Sequence, residues 1–170
     1  MKIQITGLDT LISKMESYSQ SFPSRIRTFL DRLSVIGLQI ASVEYANAQY
    51  DGDNDVTVSA YFESDNRVVV SANGQAVLFI EFGTGVTYTE EHPKANELGM
   101  IRGSYGQGKG SNESWTYYGS EGTNGIVIRE SDKGNVVRTR GNPPANAMYK
   151  ASKEMLNEIE NIAKEVLFYD

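Results

Sequence analysis

The sequence predicts one α+β domain, in which helices at both ends of the chain flank an antiparallel sheet of about four or five strands. Apolar residues recur at helical spacing near each end of the chain. Between those ends, short runs alternate apolar and polar residues, which is typical of strands buried on one face. A length of 170 residues fits a single domain over 1–170.

Two helices are expected in the N-terminal part of the chain. The first follows the turn signal Thr6-Gly7, and its apolar stripe precedes a second, longer helix. The segment Ser21-Phe22-Pro23 opens the second helix, with Ser21 or Ser24 as its N-cap, because proline is tolerated in the first turn of a helix. The stripe of the first helix consists of Leu8, Leu11, Ile12, Met15 and Tyr18.

The middle of the chain contains the expected strands. "VTVSAYF" (56–62) and "RVVVSA" (67–72) are separated by a polar turn, and the hairpin signal Asn73-Gly74 leads into a third strand, "QAVLFIEFG" (75–83). A second hairpin is expected from "GIVIRE" and "GNVVRTR", turned by residues 131–134.

A C-terminal helix is expected from Pro144 to Phe168 and is predicted to pack on the sheet, with another subunit as the alternative surface.

The segment between the two hairpins is rich in Gly, Ser, Asn and Tyr. Irregular stretches of such length are usually functional or mobile, so we expect a mobile insertion at about 86–125.

The composition excludes several classes of protein. A net charge of −6 argues against a protein that coats nucleic acid, because binding to phosphates needs clustered Lys and Arg. The absence of cysteine excludes disulfides, thiolate nucleophiles and cysteine-based metal sites. No apolar run has the length of a signal peptide core or of a membrane span, so no membrane partner is expected.

Two segments resemble ligand-binding loops, but each lacks a residue that the loop requires. Gly103, Gly108 and Lys109 begin a phosphate-binding loop, but Gly110 stands where Ser or Thr should hold magnesium. "DGDND" (51–55) begins a calcium loop, but Val56 stands at the position of its glycine. We therefore expect a glycine-rich loop and a helix-stopping acidic turn, with no metal and no cofactor.

Two titratable residues have side chains that can act as catalytic groups. Glu81 lies inside an apolar run, where a paired acid could make it a glycosidase-type carboxylate, but no second acid is specified. We expect Glu81 to face solvent or to form a salt bridge with a neighbouring chain. His92 is the only histidine, lies beside Pro93, and is expected to be a solvated loop residue. No residue is predicted to be catalytic.

Candidate interaction residues are aromatic and basic. Trp115, Tyr117 and Tyr118 form an aromatic cluster of the kind that is favoured in protein interfaces. Arg129, Arg138 and Arg140 would give the second hairpin a basic edge, which is solvated or meets an acidic partner or passing DNA.

Two further segments carry a family resemblance. "VLFIEFGTG" (77–85) and "TRGNPPANAMYKASKEM" (139–155) together resemble the head–tail joining (neck) proteins of long-tailed bacteriophages, also described as minor tail components, and "GLDTLISKM" (7–15) is similar to that family's opening. The chain departs from the family after the long helix, where it has "DGDNDVTVSAYF". The residues that match the two motifs are Glu81, Phe82, Gly83, Thr84, Gly85, Gly141, Pro144, Met148, Tyr149 and Ala151.

The same motifs also have a physical interpretation. Gly83 and Gly85 allow positive φ where the chain turns, and Thr84 can hydrogen-bond local backbone there. Pro144 suits the start of a helix. These residues are therefore expected to build structure.

The resemblance implies a structural protein of a virion or prophage that is assembled in the host cytoplasm. Its homo-oligomeric ring would join the head-closure (connector) protein to the tail terminator protein in tail completion, with DNA only as passing cargo. The aromatic residues in 103–125 would then anchor contacts between proteins. Two alternatives remain, a carboxylate hydrolase using Glu81 and a DNA-binding module using Arg129, Arg138 and Arg140.

Overall fold

A computed structural model describes residues 7–88 and 91–168, and it confirms the α+β class. Within these residues, two antiparallel sheets of two and three strands accompany four α-helices. The helices are α1 (Leu8–Ala46), α2 (Val77–Phe82), α3 (Ala95–Leu98) and α4 (Ala147–Ala163). The strands are β1 (Thr57–Ser64), β2 (Arg67–Asn73), β3 (Trp115–Tyr118), β4 (Ile126–Ser131) and β5 (Gly134–Thr139). A 3₁₀ turn covers Lys109–Ser111, and a π-helical turn at Lys164–Phe168 extends α4.

The N-terminal part forms one helix where two were predicted. α1 continues through Pro23, and the hydroxyls of Ser21 and Ser24 donate to the carbonyls three residues earlier, so neither serine caps a new helix. The apolar stripe also runs past the proline, since the rings of Tyr18 and Phe22 lie 5.7 Å apart. Thr6 of the predicted turn lies outside the described residues.

The C-terminal helix packs on α1, and the prediction that it packs on the sheet was wrong. The two helices are antiparallel, with Lys150 paired to Glu44 at one end and Arg32 paired to Glu165 toward the other. Gly37 leaves room for the side chain of Met155 at the crossing. α4 begins at Ala147, three residues after the predicted start at Pro144.

The first hairpin is confirmed, but the third strand was predicted wrongly. β1 pairs with β2, and along β1 the half-buried side chains alternate with exposed ones. The run that should have continued this sheet forms α2, which buries Ile80, Glu81 and Phe82. β2 ends at Asn73, and Gly74 with φ 145° takes the chain into α2 without pairing to a third strand.

The side chain of Asp55 caps α2 from twenty residues away. Its two carboxylate oxygens accept from the amides of Gln75 and Ala76 at 2.8 and 2.9 Å. A carboxylate is favoured at a helix N-terminus because free N–H groups point toward it. These hydrogen bonds to Gln75 and then to Ala76 lower the pKa of Asp55 below its ordinary value of 3.8.

The second hairpin is confirmed and carries an additional strand. β4 and β5 pair as expected around residues 131–134, and β3, which the sequence did not suggest, pairs with the other edge of β5. β5 is therefore the central strand of this sheet, in the order β3-β5-β4.

Substitution of Asp55 by Asn is expected to weaken the fold most at neutral pH. Because the folded-state pKa is lowered, the carboxylate stabilises the fold above pH about 3.8, and this contribution is lost as the pH falls through the folded pKa. The difference in free energy of unfolding between Asp55→Asn and the parent should therefore shrink between pH 7 and pH about 2.5. Urea denaturation at both pH values measures it, with the exposed Asp65→Asn as control. A difference that is equal at both pH values would contradict the capping role.

Candidate functional site

The two segments of the family resemblance meet in one buried structure. Residues 79–85 run beside residues 140–149, and we call this pairing the junction. Thr84 and Asn142 exchange both backbone hydrogen bonds at 2.9 and 3.1 Å, and the amide of Ala145 donates to the carbonyl of Ile80 at 2.8 Å. The side chain of Asn142 is almost fully buried, where it accepts from the Thr84 hydroxyl at 2.7 Å and donates to the Phe79 carbonyl at 2.9 Å.

Glycines allow the two segments to approach so closely. Gly83 and Gly85 have φ of 74° and 78°, which confirms the expected positive φ, and Gly141 has φ of 89°. A Cβ at Gly83 would overlap the backbone nitrogen of Pro144, and one at Gly141 would overlap the carbonyl of Thr84. Pro144 is thus buried against Gly83 and does not open the helix as predicted.

Glu81 lies at the centre of the junction and is 4% exposed, so the prediction that it faces solvent was wrong. One carboxylate oxygen accepts from the Tyr45 hydroxyl at 3.2 Å and from the Met148 amide at 2.9 Å. The other accepts from the His92 ring at 3.0 Å and from the Tyr149 amide at 3.1 Å. The two amides belong to the first turn of α4, so Glu81 acts as its N-cap from outside the helix.

His92 is buried beside this carboxylate and is not the solvated loop residue that was predicted. Its Nδ1 accepts from the Lys94 amide at 3.0 Å, so the ring proton is on Nε2, which donates to Glu81. The ring also packs on Phe82, with centroids 4.4 Å apart. Burial and then the nearby charge of Glu81 raise the pKa of Tyr45, which keeps its hydroxyl protonated as a donor.

This arrangement uses the whole accepting capacity of the Glu81 carboxylate. A carboxylate has about four lone-pair directions, and four donors occupy them. Glu81 also does not line the cleft that is formed by the acidic turn 50–55, the segment 103–110 and β3. The site therefore orients α4 and holds the loop at His92, and it offers no oxygen to a substrate.

The principal cleft among the described residues has a volume of about 500 Å³, which lies in the usual range for a binding site. Its walls come from the acidic turn 50–55, the glycine-rich segment 103–110, the strand β3 and the start of α2. Most of its larger side chains are aromatic, namely Tyr50, Phe79, Tyr105, Trp115, Tyr117 and Tyr118.

The segment that resembles a phosphate-binding loop forms one wall of this cleft. Gly106 lies against the ring of Phe79, and the Tyr105 hydroxyl donates to the carbonyl of Gly83 in the junction. Burial raises the pKa of Tyr105 to about 12. A 3₁₀ turn at Lys109–Ser111 follows in place of the α-helix whose amides a phosphate site needs.

The acidic turn joins three other parts of the chain. Asp51 is buried and accepts from the Asn124 amide at 2.7 Å and from the hydroxyl of Thr139. Asp53 accepts from the Ser120 hydroxyl at 2.6 Å, and Asp55 caps α2. Among the described residues, no group of three or more acidic or histidine side chains is placed to hold a metal ion.

The three carboxylates make the cleft electrically negative. Burial and then the charges of Asp55, Asp53 and Asp51 raise the pKa of Tyr50, because a second negative charge beside them is unfavourable. Burial and then Asp51 likewise raise the pKa of Tyr117. Lys109 is the one basic residue among those that line the cleft within the described chain.

The aromatic cluster divides between the cleft and the surface. Trp115 and Tyr117 are half-buried and line the cleft, whereas Tyr118 is 56% exposed at its border. Trp115 pairs with Thr139 and Tyr117 with Val137, so these four side chains lie on the cleft face of the sheet.

The three candidate arginines lie on the opposite face of that sheet. Arg138 pairs with Thr116 on one side and with Ile126 on the other, and Arg129 pairs with Val136, two residues before Arg138. Arg140 comes one residue after the end of β5 and two positions after Arg138, and we group it with the same face. We call this surface, formed by Arg129, Arg138, Arg140 and Ile126, the arginine face. Each of these residues is exposed, and none of its three arginines forms an ion pair with a carboxylate of the described residues.

The beginning of α1 is a further exposed surface. Every residue from 7 to 20 is exposed, and we call residues 8–22 the arm. The Tyr18 hydroxyl donates to the Leu167 carbonyl at 3.1 Å, so about 15 Å of helix before Tyr18 extends beyond the packed body. Its large apolar side chains recur at spacings of three and four along one side. They are 39–64% exposed and comprise Leu8, Leu11, Ile12, Met15, Tyr18 and Phe22.

The sequence did not indicate several residues on which these sites depend. Tyr45, His92 and Asn142 complete the junction, and Tyr50 and Tyr105 complete the cleft. Two sequence features could have indicated the Glu81–His92 pair. One is the isolated acid in an apolar run, and the other is the single histidine eleven residues later.

Comparisons with known proteins give no match: no family model, no curated protein and no solved structure is significantly similar to this chain. No helix in the described residues is both long and apolar enough to cross a membrane.

Proposed function

We propose that this chain is a structural component of a phage or prophage virion that assembles into a homo-oligomeric ring at the head–tail junction. The ring joins the head-closure (connector) protein to the tail terminator, and DNA passes through it as cargo. The proposal places the protein in the virion, after assembly in the cytoplasm of the bacterial host.

The observation that carries the proposal is the arm. Six large apolar side chains lie exposed along one side of the arm, whose first turns extend beyond the packed body. Monomeric proteins rarely leave a continuous apolar surface of this kind uncovered, and such surfaces usually mark contacts between proteins. The arm is therefore suited to bind a neighbouring subunit or an adjacent ring.

The junction also supports the proposal, through the two segments that carry the family resemblance. The two segments that resemble neck proteins, 77–85 and 139–155, lie 54 or more residues apart in sequence (139 − 85 = 54) and pack directly against each other. A structural requirement thus accounts for both motifs together. With four donors on its carboxylate, Glu81 fits the role of a structural residue better than that of a hydrolase nucleophile or acid.

Mass in solution tests the proposal directly. Light scattering after size-exclusion chromatography would be recorded for the chain alone and then mixed with the proteins encoded beside it. We expect a ring, or a monomer that becomes part of a ring on mixing. A chain that stays monomeric and binds neither neighbour would overturn the proposal.

The arm should be needed for assembly and dispensable for folding. The double variant Leu11→Ser/Met15→Ser should leave the free energy of unfolding within about 0.5 kcal/mol of the parent, since both residues are exposed. Association should weaken at least about tenfold, because each serine removes apolar area from the contact. The matched control is Leu98→Ser, since Leu98 is similarly exposed but lies outside the arm. Equal association of the arm variant and the control would exclude the arm as a contact.

A further inference from the structure

The cleft and the arginine face occupy opposite sides of one small sheet. Trp115, Tyr117 and Thr139 point toward the cleft, and Arg138 and Ile126 point away from it. A single copy therefore presents two different surfaces in opposite directions. Surfaces arranged in this way can form head-to-tail contacts, which generate rings when the rotation between subunits closes.

The two surfaces also carry opposite charge. The rim of the cleft holds Asp53 and Asp55, both exposed, and their charges together with Asp51 act on Tyr50. The opposite face holds three exposed arginines that no described carboxylate neutralises. Aromatic walls with carboxylates at the rim suit a guanidinium group, which stacks on aromatic rings and pairs with carboxylates.

We propose that the cleft is the receptor for the arginine face of a second copy of this chain. Arg138, at the centre of that face, enters the cleft beside Trp115, while Ile126 covers the aromatic border. This inference rests on the proposed ring and assigns its subunit contact, which is separate from the arm.

One oxygen of the Asp53 carboxylate is available for this contact. Its Oδ1 accepts from Ser120, whereas no hydrogen bond within the described residues engages Oδ2. Asp51 is buried and has both oxygens occupied, so it contributes charge and no direct contact. Asp53 is therefore the rim carboxylate that pairs with the incoming arginine.

Two charge-reversal variants test the arginine face and the cleft separately. Arg138→Glu removes the arginine and keeps the cleft, and Asp53→Lys alters the rim and keeps the arginine. Each variant alone should self-associate at least about tenfold more weakly than the parent at low salt, as measured by light scattering. The matched control is Lys153→Glu, an exposed reversal on α4 that should not change association.

Mixing the two variants gives the sharpest outcome. The cleft of the Arg138→Glu chain can still receive Arg138 of the Asp53→Lys chain. The remaining two surfaces carry exchanged charges, a glutamate on the sheet face and a lysine at the cleft rim, which attract each other. We therefore expect mixing to restore association, in complexes that contain equal numbers of the two variants. Trp115 is the only tryptophan and lines the cleft, so its emission should shift when these complexes form.

The results distinguish the cleft contact from the ring itself. If the parent forms rings and both variants do so equally well, the cleft is not the receptor, but the ring proposal stands. If Arg138→Glu alone is impaired and mixing restores nothing, the arginine face binds another surface and the inference is overturned. A parent that is monomeric at all concentrations, with and without its neighbours, overturns both proposals.

Discussion

Glu81→Gln is expected to lower the free energy of unfolding by about 3 kcal/mol or more. The substitution keeps the shape of the side chain but replaces one accepting oxygen by an NH₂ group. That group must face two donors, either Tyr45 with the Met148 amide or His92 with the Tyr149 amide. Since Glu81 is buried, water cannot replace the lost acceptor. Chemical denaturation monitored by circular dichroism measures the change.

The matched control is Glu97→Gln, which removes the charge of an exposed glutamate that pairs with Lys94 at 2.6 Å. Its effect should stay within about 0.5 kcal/mol, because exposed ion pairs contribute little. Tyr45→Phe removes one of the four donors and should cost about 1–2 kcal/mol, which gives a graded result if the glutamine variant fails to fold. A Glu81→Gln protein as stable as the parent would contradict the capping role of Glu81.

The same variant distinguishes the structural role from catalysis. If Glu81 were a catalytic carboxylate, Glu81→Gln would abolish an activity and leave stability nearly unchanged. The geometry leads to the opposite expectation, since all four donors are structural groups of the chain itself. Measurement of stability therefore tests the hydrolase alternative even without a known substrate.

The sequence predicted correctly those elements that depend on interactions between residues close together in the chain. The alternation in β1 and the turn between β4 and β5 were predicted correctly, because side-chain period and turn residues act over a few positions. The segment at α2 was predicted wrongly for a complementary reason. An apolar run is buried equally well as a strand or a helix, and here the cap comes from Asp55, twenty residues away.

The predicted start of a second helix at residues 21–23 shows a second limit of prediction from local sequence. Proline lacks the amide that would bond to the preceding turn, so helix ends are usually placed near it. In α1 the helix continues, with the hydroxyls of Ser21 and Ser24 donating to nearby carbonyls. Pairing of α1 with α4 begins close to this point, since Arg25 donates to the Val166 carbonyl. A contact between residues 141 positions apart produces no local sequence pattern from which it could be predicted.

The environment of Glu81 and His92 could not be read from the sequence for the same reason. The expectation that both are solvated followed from their polar character. Their burial depends on partners from four separate segments, among them Tyr45 in α1 and the first turn of α4. Polar groups are buried where such partners converge, and convergence is a property of the tertiary structure.

The junction depends on backbone contact at one glycine. Gly141 has φ of 89°, where a side chain adds about 1–2 kcal/mol of strain, and a Cβ there would overlap the carbonyl of Thr84. That carbonyl accepts the Asn142 amide in the bridge between the two segments. Relief of the overlap must therefore separate the segments and break the bridge that aligns Glu81 with α4.

Gly141→Ala is accordingly expected to cost more than about 3 kcal/mol of unfolding free energy. Gly134→Ala is the matched control, because Gly134 also has positive φ, 101°, but no atom lies within 4 Å of its added Cβ. It should cost only the conformational strain, about 1–2 kcal/mol. Denaturation of both variants gives their losses of unfolding free energy. The difference between these losses is the cost of the close contact, because both variants share the conformational strain. Equal losses in both would mean that the junction tolerates separation, and that the two motifs do not act as one structural unit.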